Sequence, residues 1–256
     1  MPFTLAHPAA VLPLRRVRHL RSAPLIVGAM VPDLPYYLPG GIARYVPLTH
    51  AFVHSFTVDL ALGYALLASL LVLQRPLTAL LSARARALCL RALRPFHRPV
   101  AWAFAAPAIL LGVWTHLLWD SFTHRDGWMV HRVAALSAPL VIGPYDGTVS
   151  HALQYLSSVA GLCVLVVWYA RLLTPTVAVG PDAARSAAGP VLVLVLGAAL
   201  LIGGVQGMEY FERTHNVYHS LFVLLTDALF WFAVLYLTAG IVLTLEHGAP
   251  PPGAHD

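Results

Sequence analysis

Five stretches of this chain, 53–74, 100–121, 152–173, 189–207 and 217–245, run for about twenty residues with at most one charged side chain each. A helix of that length crosses the hydrocarbon core of a bilayer. Composition supports the same reading, since hydrophobic residues make up 59% of the 256 and charged ones only 11%, less than half the roughly 25% of an average soluble domain. So few charges cannot build a water-facing surface, so most of the surface faces lipid. A secreted soluble enzyme, a disordered chain and a disulfide scaffold are thereby excluded. In lipid every backbone N–H and C=O must find an internal partner, which favours helices. The expected fold is all-α: a polytopic integral membrane helix bundle with about five to six membrane segments, forming a single membrane domain over 1–256.

A sixth apolar stretch, Ala23 to Leu38, is shorter and holds Pro24, Pro32, Asp33 and Pro35. It reads as a tilted span, a broken helix or a re-entrant segment. Broken backbone at membrane depth is tolerated only where it is buried in protein or lines a cavity, and an aspartate there reads as functional. The opening MPFTLAHPAAVLPLRR does not have the order of a signal peptide, because its charge follows the apolar stretch instead of preceding it. Cys89 and Cys163 form no motif and read as core or lipid-facing thiols.

All sixteen basic residues are arginine, and the formal net charge is +5. The excess does not imply nucleic acid, because the arginines sit where membrane orientation explains them. Residues 75–99 carry Arg75, Arg84, Arg86, Arg91, Arg94 and Arg98 without an acid, which makes the segment cytoplasmic by the positive-inside rule. Alternation then puts 120–151 and 208–216 outside, and 174–188 with the tail GAPPPGAHD inside. Arg15, Arg16, Arg18 and Arg21 fit a cytoplasmic N-terminal segment only if 23–38 crosses. Arginine in place of lysine, with heavy Ala, Leu, Val and Pro usage, suggests a GC-rich bacterial genome and hence a multi-pass protein of the bacterial plasma membrane. The six tryptophans lie mostly near span ends and read as interface anchors.

Thirteen histidines are many for so apolar a chain, and most gather on one side. His50 and His54 start the first span, His116, Asp120 and His124 end the second, His151 precedes the third, and His215 and His219 open the last. In the topology above all of these lie near the outer face. Residues four apart share a helical face, so His116-x-x-x-Asp120-x-x-x-His124 aligns two imidazoles and a carboxylate over two turns. Imidazole and carboxylate are the ligand types of zinc or manganese. The plainer alternative is a set of helix-end polar residues meeting headgroups and water, which is the better reading for His215 and His219. Asp59 and Asp227 read either as acceptors for imidazole N–H groups of the ligands or, preferably, as carboxylates satisfied by a neighbouring helix. No phosphate-binding glycine loop, C-x-x-C, H-E-x-x-H or G-x-S-x-G elbow is present.

The blocks MPFTLAHPAAVLPL, APLIVGAMVPDLPYYL, HSFTVDLALG, THLLWDSFTHRDGW and LQYLSSVAGL, in order over residues 1–163, resemble the bacterial membrane family catalogued as domain of unknown function 4184. Residues 164–256 add transmembrane helices and a short polar tail. More distantly, the order His, Pro-Asp, His-Ser, His-x-x-x-Asp resembles the membrane-bound metal-dependent hydrolases and the zinc-dependent phospholipases C. In the latter, helices present His and Asp ligands to several zinc ions that bind and split a phosphodiester. The resemblance implies that His54, His116 and Asp120 hold one zinc or manganese ion. It implies that His7 and Asp33 contribute to a second, with Asp33 as ligand or catalytic base, and that His124 is a further ligand. The chain departs from the phospholipases in having six residues before His7, where they use a free amino terminus as ligand. It also has Tyr155 four residues after His151, where they carry a glutamate.

The resulting expectation is a metal-dependent hydrolase acting on a phosphoester or lipid-linked substrate at the outer membrane face, with the lipid bilayer as its setting and no nucleic acid as partner. The alternatives are a non-catalytic membrane protein with a structural His/Asp metal site, and a metal or haem carrier. A carrier needs polar residues down its spans, and Asp59, Gln206 and Asp227 are few. In a cysteine-free background, Arg86→Cys and Gly143→Cys should react with a membrane-impermeant thiol reagent from opposite sides of the membrane. Labelling of both from the same side would contradict the gathering of histidines on one face.

Overall fold

A computed structural model describes residues 4–17, 20–38, 41–143, 145–174 and 185–246. Arg18, most of 174–188 and the tail GAPPPGAHD lie outside the described residues, or have side chains outside them. The apolar stretches fold as helices, as backbone hydrogen bonding in lipid demands. The α-helices are α1 (Pro8–Val11), α2 (Ser22–Met30), α3 (Val46–Thr49), α4 (Val58–Val72), α5 (Gln74–Ala79), α6 (Ala83–Leu93), α7 (Pro99–Ala103), α8 (Ala105–Thr123) and α9 (Ala134–Ser137). A two-stranded antiparallel ribbon follows, β1 (Pro139–Ile142) against β2 (Tyr145–Thr148). The last helices are α10 (Val149–Leu173), α11 (Arg185–Thr214) and α12 (Val217–Glu246).

Among the described residues, four helical stretches are long and apolar enough to cross a membrane: Pro99–Thr123, Val149–Leu173, Gly189–Thr214 and Val217–Glu246. Large apolar side chains stand exposed along the last three, including Leu156, Val166, Leu201 and Leu245, a surface suited to acyl chains rather than water. The stretch 53–74 departs from the expected continuous span. It begins as a 3-10 turn, Phe52–Phe56, and continues as the 15-residue α4, about 22 Å long at 1.5 Å per residue. Among the three readings of 23–38, the structure takes the broken helix, because α2 ends at Met30 and a 3-10 segment, Val31–Tyr37, carries Asp33. Pro32 and Pro35 supply no N–H for an α-helical ladder, which accounts for the break.

The chain forms two compact units. The first comprises 1–35, 44–68 and 95–174. Its core is the crossing of α2 over α8. A Cβ on Gly28 would stand 2.1 Å from the Ile109 carbonyl oxygen, and one on Gly112 would stand 2.3 Å from that of Leu25. The two backbones therefore touch, which is how small residues let apolar helices pack in lipid. Leu25, Ala29, Ala108 and Ile109 are buried around the contact. Helix α10 runs antiparallel to α8, tied by Trp119 Nε1–H donating to Ser157 Oγ (3.1 Å) and by His124 facing Gln154 (3.5 Å). Thr148 caps α10, its hydroxyl accepting from the His151 N–H.

The second unit comprises 36–43, 69–94 and 175–256. In it α11 and α12 form a hairpin turned at His215, whose φ of 51° is left-handed, and Asn216 Oδ1 accepts from the His219 N–H. Helix α12 packs on α5, with Tyr236 donating to the Leu77 carbonyl (2.9 Å). Arg86 on α6 donates to the Thr78 and Ala79 carbonyls at 3.0 and 2.8 Å, so part of the arginine-rich segment caps a helix end.

Gly112→Val should lower the thermal midpoint of the purified protein by the equivalent of about 3 kcal/mol, the upper range for overpacking, because backbone rather than a flexible side chain must yield. Gly197→Ala, with nothing within 4 Å of the new Cβ, should change stability by less than about 0.5 kcal/mol. Thermal unfolding in detergent separates the two.

Candidate metal centre

The last turns of α8 place His116 and Asp120 one above the other, both buried in the first unit. His116 Nδ1 lies 2.8 Å from the Ala29 carbonyl oxygen. A carbonyl can only accept, so Nδ1 carries the proton and a neutral ring keeps its lone pair on Nε2. His50, just after α3, is held in the same way, with Nδ1 3.1 Å from the Val46 carbonyl oxygen. Both Nε2 atoms face carboxylates. His116 Nε2 is 3.3 Å from Asp120 Oδ2 and 3.7 Å from Asp33 Oδ1. His50 Nε2 is 3.5 Å from each of the same two oxygens.

One ligand atom from each of Asp33, His50, His116 and Asp120 therefore lies within 4.8 Å of the other three. A tetrahedral ion with bonds of about 2.0–2.2 Å needs ligand atoms about 3.3–3.6 Å apart, close to the spacings found. Hydrogen bonding does not explain the group. His116 Nε2 and both oxygens of Asp120 are buried without a hydrogen-bond partner, and each such group costs about 1–3 kcal/mol, more when charged. Two imidazole nitrogens and two carboxylate oxygens are a donor set suited to zinc or manganese, so these residues fit a metal ion. The surroundings hold the donors in place. Thr4 Oγ1 donates to Asp33 Oδ2 (2.5 Å), and Thr49 Oγ1 to the Pro32 carbonyl (2.6 Å). Such partners orient ligands and fix their protonation.

A second set adjoins the first through Asp120. The His7 ring stacks on His116 with centroids 3.8 Å apart, and its Nε2 lies 3.5 Å from Asp120 Oδ1. His124 Nδ1 lies 3.5 Å from that same oxygen. Burial, followed by the neighbouring His116, pushes the His7 pKa down to about 3, so its ring is neutral at ordinary pH. Burial would lower His50 too, but Asp120 and Asp33 outweigh it and raise that pKa to about 10. Proton and metal therefore compete for the same lone pair. His124 is lowered, chiefly by burial. The side chains of His7 and His116 are at most 1% exposed, whereas those of His50 and His124 are 25% and 26% exposed. The cluster is thus reached from its His50 and His124 edge.

Of the residues singled out in the sequence, Asp33, His116 and Asp120 meet in the four-residue group, with His7 and His124 beside Asp120. Asp33 faces His116 rather than joining His7 in a separate set. His54 lies outside the group, with its Nδ1 buried and unpartnered, and His50 stands where the resemblance put His54. The reason is local. His50 ends α3, while His54 lies in a 3-10 turn, so the four-residue spacing does not set them on one helical face. His151 touches Tyr145 and Tyr155 instead. Asp59 is fully buried, with neither oxygen hydrogen-bonded among the described residues, and it lies within electrostatic reach of His50 and His116.

Fold and site together define an α-helical protein with four helices long and apolar enough to cross a membrane, carrying a buried His/Asp cluster that is able to hold a metal ion. The chain belongs to the family described as domain of unknown function (DUF4184), whose family model matches residues 1–245. The match extends well beyond residue 163, through α11 and almost all of α12. No curated protein and no solved structure matches the chain.

His50→Ala should weaken zinc or manganese retention by about 10–100-fold or more, at least the loss seen when an outer partner of a ligand is removed, while His54→Ala should leave it nearly unchanged. Metal analysis of the purified variants after graded chelation reads the difference; the reverse order would return His54 to the site.

Proposed function

We propose that this protein is a metal-dependent hydrolase of phosphoester or lipid-linked substrates, with its His/Asp cluster near the outer face of a bacterial plasma membrane. The observation that carries the reading is the convergence of two imidazole Nε2 atoms on two buried carboxylates at 3.3–3.7 Å. Asp33, His50, His116 and Asp120 Oδ2 would hold one ion. His7, His124 and Asp120 Oδ1 would hold a second, with three protein ligands and an open position, the pattern of a catalytic site. A zinc pair at such a centre acidifies water to a pKa of about 7 and polarises phosphoryl oxygens.

The chain's own contributions are orientation and access. Ala29 and Val46 fix the tautomers of His116 and His50 through their carbonyls. Asp33 has one oxygen taken by Thr4 and the other facing the histidines, an arrangement that supports a ligand rather than a base. The exposed edge at His50 and His124 is where a phosphate group would enter. Proximity to the membrane surface favours a substrate that arrives in the bilayer. The placement at the outer face rests on the arginine-rich 75–98 preceding α8, whose far end carries the cluster.

A structural metal is the second reading, favoured by the four-residue group alone, because four protein ligands close a tetrahedral site. Activity separates the two. Wild type should contain zinc or manganese and hydrolyse bis-nitrophenyl phosphate, losing activity to chelator and regaining it with metal. Asp120→Asn, which removes a charge shared by both sets, should lower metal affinity by at least about 10–100-fold and abolish turnover. Metal that is bound and sensitive to Asp120→Asn, without turnover of any phosphoester, leaves the structural reading. Protein that neither carries nor accepts metal refutes both.

A further inference from the structure

The first unit has a cleft of about 670 Å³ between the chain after His7 and the last turns of α10, within the range of small-ligand pockets. Its polar rim is three arginines. Arg15 and Arg16 end the 3-10 helix Leu14–Arg16, and Arg171 sits in the last turn of α10. Among the described residues the one arginine–carboxylate pair is Arg213 with Glu209, so no described acid pairs with these three. The Arg15 guanidinium lies 5.5 Å from the centre of the Trp168 ring. Trp168 Nε1 is a buried donor without a hydrogen-bond partner among the described residues. The rest of the wall is apolar, with Val164 and Val167 about half exposed on the side of α10.

Three arginines with no carboxylate partner among the described residues, and an indole N–H above an apolar wall, suit an amphiphile with an anionic head. Fixed guanidinium groups bind phosphate oxygens through paired N–H donors, an indole N–H reaches an ester or phosphate oxygen, and acyl chains cover the valines. Arg171 lies seventeen residues along α10 from Gln154, which faces His124. That is about 25 Å of helix from the His124 edge, and about 15 Å from Gly161, which packs on Ala6 beside His7, so the arginines stand toward the other end of α10 from the metal cluster. Arg98, in the same unit, leads into α7 and α8, and basic residues at a membrane face attract anionic lipid.

We propose that this cleft is a binding site for the head group of an anionic phospholipid, separate from the metal cluster and occupied from the arginine-rich leaflet. One lipid there bridges Arg15 and Arg16 to Arg171 and so fastens the segment that carries His7 to α10.

Native mass spectrometry of the full chain in detergent, titrated with dioctanoyl phosphatidylglycerol or dioctanoyl phosphatidylcholine, tests this. Phosphatidylglycerol should be retained at least about tenfold more tightly. The R15Q/R16Q/R171Q variant should lose about 100-fold of that affinity, about fivefold for each arginine. Arg125→Gln with Arg132→Gln, a basic pair outside the cleft, should lose none. Trp168→Phe, which keeps the ring and removes the N–H, should weaken phosphatidylglycerol severalfold. If the triple variant misfolds, the three single variants carry the measurement. Equal affinity for the two lipids, unchanged affinity in the arginine variants, or full displacement of phosphatidylglycerol by inorganic phosphate would each overturn the proposal, the last by reducing the cleft to a simple anion site.

Discussion

Two carboxylates, Asp33 and Asp120, are buried within a few ångströms of each other and of three imidazoles. An ion taken out of water costs several kcal/mol even after the protein relaxes, and two like charges side by side raise that further. Positive charge must offset them, and the local structure has left the nitrogen lone pairs of His50 and His116 turned inward to receive it. The rest of the first unit follows from this demand. The glycine contact between α2 and α8 brings the Ala29 carbonyl to His116. Thr4 reaches across 29 residues to hold Asp33. His7 is pressed flat on His116.

The residues of the cluster come from the places where regular helix stops. Asp33 lies in a 3-10 segment after α2, His50 in the turn after α3, and His124 just past the last residue of α8. Irregular backbone is tolerated in an apolar chain only where protein or a cavity surrounds it, and here it surrounds the donors. The glycine contact and the helix breaks therefore serve one arrangement, in which straight spans supply the frame and interrupted ones supply the chemistry. Asp120 is the exception that links them, since it is part of a regular helix yet turns Oδ2 to His50 and His116 and Oδ1 to His7 and His124.

What was legible in the sequence follows from the range of each interaction. Hydropathy alone marks four of the five long spans, because lipid acts on every residue independently. The pairing of His116, Asp120 and His124 is legible because an α-helix brings residues four apart together regardless of the remainder of the fold. Asp33 is legible as a charge among prolines in an apolar segment. The choice of His50 over His54 is not, since both stand at the start of the same span and only the 3-10 turn distinguishes them. The shortening of 53–74 to the 15-residue α4 is equally hidden, because hydropathy does not report where the ladder of hydrogen bonds begins.

The sequence by itself determined that the chain is helical and suited to lipid, that basic charge gathers on some connections and histidine on others, and that one helix end carries ligands in register. Those properties depend on solvent and on contacts within a turn or two. Only the tertiary structure decided that His7, Asp33 and His50, each from a different segment, converge on Asp120 and His116, and that Arg15 and Arg16 line one cleft with Arg171. These contacts span from 66 to 156 residues of chain, and they exist because α2 can lie against α8 at Gly28 and Gly112 and the segment after His7 can lie along α10. Close packing of backbones is a property of the assembled shape, with no period or composition along the chain to announce it.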